Sequence, residues 1–264
     1  MRNTSLALAL LAVGSLAALA VSRTGPRRRK SGRVAPPGRP ATPMTQALDA
    51  GSRALQGPGP LKDFHVYLVG FHPAKDDPHH QMEAHHFCRV VNEDFTECVL
   101  FDGNGPDANM IGLEYIVSER LYARLPPEER PFWHPHNFEI LSGTLLAPGL
   151  PRAAETALML TKMNSYGKTW HTWDTGDTER MGDPLPLGEP MLMWSFNRQG
   201  ECRDWLIRER DMMLGTDTRD AAAARRDLAR IAAPQAGVDA LHGRFDRRVR
   251  PQPGVRDLAD AERV

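Results

Sequence analysis

Net charge is absent from this chain: 33 Lys and Arg residues balance 33 Asp and Glu residues. No global field is available to gather nucleic acid or a strongly acidic partner. No internal repeat is visible, and no G-x-S-x-G segment supplies the strained elbow that presents a serine nucleophile. The longest apolar run, Leu6 to Val21, holds 16 residues. As a helix it covers about 24 Å, short of the roughly 30 Å hydrocarbon layer, which disfavours a relaxed spanning helix. No cysteine follows that run until Cys88, which argues against a lipoprotein anchor.

What is present is a globular composition, 41% hydrophobic and 25% charged, that predicts a packed core. Histidine is abundant: nine of the ten lie between His65 and His171, and only His242 lies beyond. At the N-terminus, Arg2 precedes the apolar run and Ala18-Leu19-Ala20 closes it with the small-x-small pattern read by signal peptidase. Arg23, Arg27, Arg28, Arg29 and Lys30 follow, and basic residues there resist translocation. Residues 1–21 are therefore expected to be a signal peptide or an uncleaved N-terminal anchor, with an ordinary buried helix as the alternative. The corresponding location is exported, periplasmic or extracellular, or membrane-tethered by the N-terminus.

Residues 22–60 are rich in Pro, Gly and Arg with little apolar periodicity, which predicts an extended basic linker. The globular domain is expected over 61–233 and a loosely held tail over 234–264. Phe64 to Phe71 is strand-like, as are Met110 to Val117, His136 to Leu146, Lys168 to Trp173 and Met191 to Phe196. His85 to Val91 and Phe95 to Phe101 form a hairpin whose favoured register pairs Arg89 with Glu97, Val91 with Phe95, Phe87 with Val99 and Cys88 with Cys98. Ser118 caps a short helix, Pro151 to Tyr166 is helical with Gly167 in the cap position, and Asp204 to Ile231 favours helices. The fold class is α+β: a single domain with a largely antiparallel sheet flanked by helices and a helical C-terminal segment.

Chemistry concentrates in Trp133-His134-Pro135-His136-Asn137-Phe138-Glu139. On a strand, His134 and His136 face the same way and can share a metal, whereas Glu139 joins them only if the chain bends or bulges. The spacing resembles the two-histidine-plus-glutamate motif of cupins, which place the glutamate one residue further on. Glu83-Ala84-His85-His86 is a second source of ligands. Alternation puts Glu83 with His85 on one side and His86 with Cys88 on the other. His171, between Trp170 and Trp173, is a further candidate. Two histidines and a carboxylate suit zinc, iron or manganese, and Glu114 with His134 offers acid–base work without a metal. For each of these histidines the alternative is a core residue satisfied by hydrogen bonds. Cys88 and Cys98 are candidates for a cross-strand disulfide in an oxidising compartment, with two free buried thiols as the alternative.

Seven segments in order resemble the oil body-associated protein family, which corresponds to a domain of unknown function. They are Glu83 to Cys88, Asn92 to Asp94 with Cys98, Ile111 to Ser118, Trp133 to Glu139, Ser142 to Pro148, Tyr166 to Trp173 and Pro186 to Phe196. The resemblance implies association with lipid-storage particles and supplies no reaction or catalytic residues. Three readings stay open. The first is a metal-dependent oxidoreductase or hydrolase acting on a small molecule. The second is a non-catalytic envelope or lipid-surface protein that meets a membrane through its N-terminus. The third is a small-ligand binder with Trp133, Trp170 and Trp173 lining one apolar pocket.

Overall fold

The computed structural model describes residues 29–261, so the leader expected at 1–21 lies outside the described residues. A first helix, α1 (Pro43–Leu55), begins where the Thr42 hydroxyl accepts a hydrogen bond from the Thr45 amide and Pro43 pre-sets the first turn. The linker expectation fails on both sides of Pro36. Upstream, Lys30 is buried: its backbone is bonded to the loop around Asn104 and its ammonium reaches Glu83. Downstream lies α1, with no buried residue.

Strands β1 (Val66–Pro73), β2 (Gln81–Asn92), β3 (Phe95–Phe101) and β4 (Met110–Val117) form an antiparallel meander. The expected hairpin register is found for Phe87–Val99, Cys88–Cys98 and Arg89–Glu97, but a bulge after Val90 sets Asn92, not Val91, opposite Phe95. Cys88 and Cys98 are joined by a disulfide. After β4 the Ser118 hydroxyl caps α2 (Glu119–Tyr122).

The next segment departs most from expectation. Only β5 (His134–Pro135) is strand, and α3 (Asn137–Leu141) is helix where a strand from His136 was expected. Its bonds come from far along the chain. Gln235 accepts from the Asn137 amide, Arg225 binds the carbonyls of Ile140 and Leu145, and Arg210 binds that of Thr144. Local apolar patterning cannot report such partners.

Helix α4 (Arg152–Lys162) stops earlier than expected. Asn164, with φ of 64°, makes the left-handed turn assigned to Gly167, and β6 (Tyr166–His171) starts at once. Then come β7 (Met191–Met193), α5 (Asp204–Leu214), α6 (Thr218–Ala224) and α7 (Leu258–Ala261). The tail is packed, with Gln235, Val238 and Leu241 buried.

The sheet order is β1-β2-β3-β4-β6, with β5 and β7 sharing the outer edge of β6. It curls until β7 meets the end of β1, through Lys75 N to Leu192 O at 2.9 Å and Trp194 N to Pro73 O at 2.8 Å. The inner face carries Leu68, Ala84, Cys88, Cys98, Leu100 and Ile116 against Met159 of α4. The other face puts Tyr67 and Val69 against Leu214 and Ala221 of α5 and α6. Truncating a fully buried side chain such as Leu100 to alanine costs about 2–5 kcal/mol. The architecture is the expected α+β domain, and among the described residues no helix is long and apolar enough to cross a membrane.

Candidate metal centre

Strand alternation brings His72 of β1, His86 of β2, Glu114 of β4 and His171 of β6 to the inner face of the curled sheet, and β5 adds His134. His136 and Glu139 enter from the start of α3, all of them buried. Glu114 is the hub. Its Oε2 lies 2.8 Å from His86 Nε2 and 3.9 Å from His72 Nε2, and its Oε1 lies 3.2 Å from His136 Nε2 and 3.7 Å from His134 Nε2. Ligand atoms of His72, Glu114 and His134 fall within 4.8 Å of one another, as do those of His134, His136 and Glu139.

Hydrogen bonds fix two of the tautomers. Ser165 donates its one hydroxyl proton to the Lys162 carbonyl at 2.7 Å, so at 2.8 Å it can only accept from His136 Nδ1. His86 Nδ1 meets the Ala84 carbonyl at 3.1 Å and must also donate. With Nδ1 protonated, a neutral ring presents a bare Nε2 lone pair, and both rings aim it at the Glu114 carboxylate. Lone pair against carboxylate is repulsive unless a proton or a metal ion lies between.

Burial makes the neighbouring rings poor bases. It pushes His72 and His134 well below the ordinary histidine value and His171 down to about 3, with adjacent histidines adding to the effect. Burial opposes ionisation of Glu114, but the close contacts with His136 and His86, each of which needs a proton or a cation between nitrogen and oxygen, prevail and hold it well below the usual carboxylate range. Glu139 is the reverse: burial and the Glu114 charge raise it far above that range, a neutral acid that a nearby cation would ionise. Neutral imidazoles around an ionised carboxylate are the donor chemistry of iron, manganese or zinc.

The backbone leaves space at the focus. A Cβ on Gly167 would fall 2.6 Å from His136 Nε2 and 2.7 Å from His134 Nε2, and closer still to Glu114 Oε1. Only glycine lets β6 pass beneath these three donors.

A family model described as protein of unknown function, DUF1264, matches residues 58–229. The maize oil body-associated protein 1A is 38% identical over 205 residues, 78% of this chain and 83% of its own. Oil body-associated protein 1B of Arabidopsis thaliana is 35% identical, covering 78% and 82%, and maize 2A is 38% identical, covering 74% and 76%. The chain belongs to this family. No solved structure matches it significantly.

Of the residues singled out in the sequence, His134, His136, Glu139 and His86 converge. His171 sits one layer back: its Nε2 faces His72 Nδ1 at 3.2 Å and its Nδ1 faces the Met82 sulfur at 3.4 Å, so it orients His72 rather than joining the focus. Glu83 and His85 occupy the opposite face of β2, where His85 Nε2 is 2.9 Å from Glu83, its Nδ1 is 2.7 Å from the Tyr67 hydroxyl, and Lys30 pairs with Glu83. Their removal from the centre follows from strand alternation alone. The tryptophans separate too: Trp173 is in the core, Trp170 stands beside Phe132, and Trp133 lines a groove with Trp194. His72 was not found in the sequence because β1 runs to Pro73, beyond the expected end at Phe71. Glu114 was visible only as an acid–base candidate, although β4 itself has the expected bounds.

Proposed function

We propose that this family member binds a divalent transition metal ion, iron, manganese or zinc, through Glu114, His134 and His136, with His72, His86 and Glu139 completing the shell. The observation that carries the reading is the pair of fixed tautomers that turn the bare Nε2 of His86 and His136 onto one carboxylate. Six donors exceed the four of a structural zinc site and favour a six-coordinate ion. Such a shell supports oxygen or hydrolytic chemistry on a small molecule. Metal analysis of protein purified without a histidine tag tests it: the wild type should hold about one equivalent, and His134→Ala/His136→Ala should hold none. Equal metal in both removes the reading.

A second observation favours a lipid-surface role beside the metal. The relatives are named for oil bodies, and helix α1 has no buried residue, with Met44, Leu48 and Leu55 along one stripe at 69, 65 and 87% exposure. An apolar stripe left uncovered among the described residues suits the boundary of a phospholipid-coated droplet. This favours a lipid surface over release into the periplasm or the medium. Flotation with phospholipid-coated triacylglycerol droplets should recover the wild type and leave Met44→Glu/Leu48→Glu behind; equal recovery of both overturns the assignment.

A further inference from the structure

A groove of about 300 Å³ has the buried Trp133, Trp194 and Tyr122 as its floor and the exposed Pro127, Pro131 and Ala240 at its mouth. That volume is at the small end of the roughly 300–1,000 Å³ typical of small-molecule sites. Its polar capacity has one sign. Lys75 and Arg130 line it and no carboxylate does. The nearby Glu129 is engaged elsewhere, by Lys168 at 2.6 Å and by the Trp133 indole at 2.9 Å.

The donors are partly spent, and what remains is informative. The Trp194 indole N–H is given to the Gly237 carbonyl at 3.1 Å, so both tryptophans offer ring surface only. Gly237 holds this arrangement with φ of 83° and no room for a Cβ, which would come within 2.8 Å of the Trp194 ring. Arg130 gives its Nε and one terminal nitrogen to the carbonyls of Leu125 and Ala123, and the other terminal nitrogen makes no hydrogen bond among the described residues. Lys75 bonds the Pro131 carbonyl and lies 3.9 Å over the Trp194 ring centre, with donor capacity left over. Partial burial lowers the Lys75 pKa, and the neighbouring Asp76 charge offsets this only in part.

We infer that this groove is a binding site for a small amphipathic anion, a carboxylate head held by Lys75 and Arg130 with a short apolar chain against Trp133, Tyr122 and the two prolines. Trp194 separates the groove from the histidines, its ring 6.0 Å from that of His134. The assignment therefore stands independently of the metal.

Octanoate, below its micellar range, is the probe, titrated calorimetrically into the full chain with and without chelator. Saturable binding is expected in both conditions, while acetate, which lacks the chain, and octylammonium, which reverses the charge, should bind far more weakly. Lys75→Met/Arg130→Met should weaken octanoate about tenfold, the scale expected for removing two half-exposed charges from an anion site. Ala240→Phe should block the mouth while keeping both cations. Thermal unfolding of each variant verifies that it is folded. The assignment is overturned by no saturable octanoate binding by the wild type, by octylammonium binding as tightly as octanoate, or by full octanoate affinity in the folded double-charge variant. Loss of binding on chelation alone would move the anion to the metal and also overturn it.

Discussion

His134 and His136 bring their Nε2 atoms to 3.2 Å of each other, although the first opens a two-residue strand and the second caps a helix. Two rings on one flat strand would lie side by side. Here the backbone at His136 turns to φ −106° and ψ −10°, and the rings face inward at 66° to each other. The pair thus resembles the two arms of a ligand set rather than a stacked surface pair. Glu139, one turn further into α3, joins from the same side.

Ser165 is the point at which this geometry is best tested. Its hydroxyl is the acceptor that keeps the proton on His136 Nδ1, and it touches no other member of the cluster. Ser165→Ala should leave the fold intact and weaken metal binding by roughly 10–100-fold, as loss of an outer hydrogen-bond partner does. Competition titration with a chromogenic chelator reads the change. An unaltered affinity would mean that His136 is not a ligand.

Gly167→Ala tests the space instead of the donors. Because the new methyl must overlap the focus of Glu114, His134 and His136, the variant should lose metal and about 1–3 kcal/mol of stability through overpacking. Gly51→Ala, in the exposed α1 with nothing within reach of its Cβ, is the control and should be neutral or slightly stabilising. Melting temperatures and metal content measured together separate overpacking from a general intolerance of alanine.

The parts of this fold legible in the sequence are those whose bonding partners are close by. The β2–β3 register followed from cross-strand chemistry between residues about ten apart, and it failed only at the bulge after Val90, where turn geometry overrides side-chain matching. β4 was read with its bounds intact. Segment 136–146 was misread because its helix depends on Gln235, Arg225 and Arg210, all at least 66 residues away. The site followed the same rule. The histidines adjacent in sequence were visible, but Glu114 as their hub required the pairing of β4 with β6, a contact across more than 50 residues.

The Cys88–Cys98 disulfide spans a hairpin directly behind His86. Closing so short a loop stabilises by about 2–3 kcal/mol in the chain-entropy account. Reduction with a phosphine should therefore lower the melting temperature by roughly 5–10 °C for a domain this size. Metal content should persist, since the hairpin register is also held by the Arg89–Glu97 pair and the backbone ladder. A melting curve indifferent to the reductant in wild type and Cys88→Ala/Cys98→Ala alike would deny the bridge any role.

Acid should destabilise this protein in part through the other face of β2. Burial raises the Glu83 pKa, but the 2.9 Å contact with His85 Nε2 and the Lys30 charge outweigh it and bring the carboxyl down to about 2. The unfolded chain takes up that proton near 4.5, so the contribution is fully present above pH 5 and is lost as pH falls towards 2. A shift of that size corresponds to roughly 3 kcal/mol. His85 works in the same direction: burial lowers its pKa, so below about 6.5 the unfolded chain binds a proton that the folded chain refuses. Urea unfolding from pH 7 to 3 should show stability declining across both windows. Glu83→Gln should be less stable at pH 7, because Lys30 is left buried beside a neutral amide, and should show a shallower decline below pH 5. Parallel curves for the two proteins would show that the Lys30–Glu83–His85 chain does not govern the acid limb.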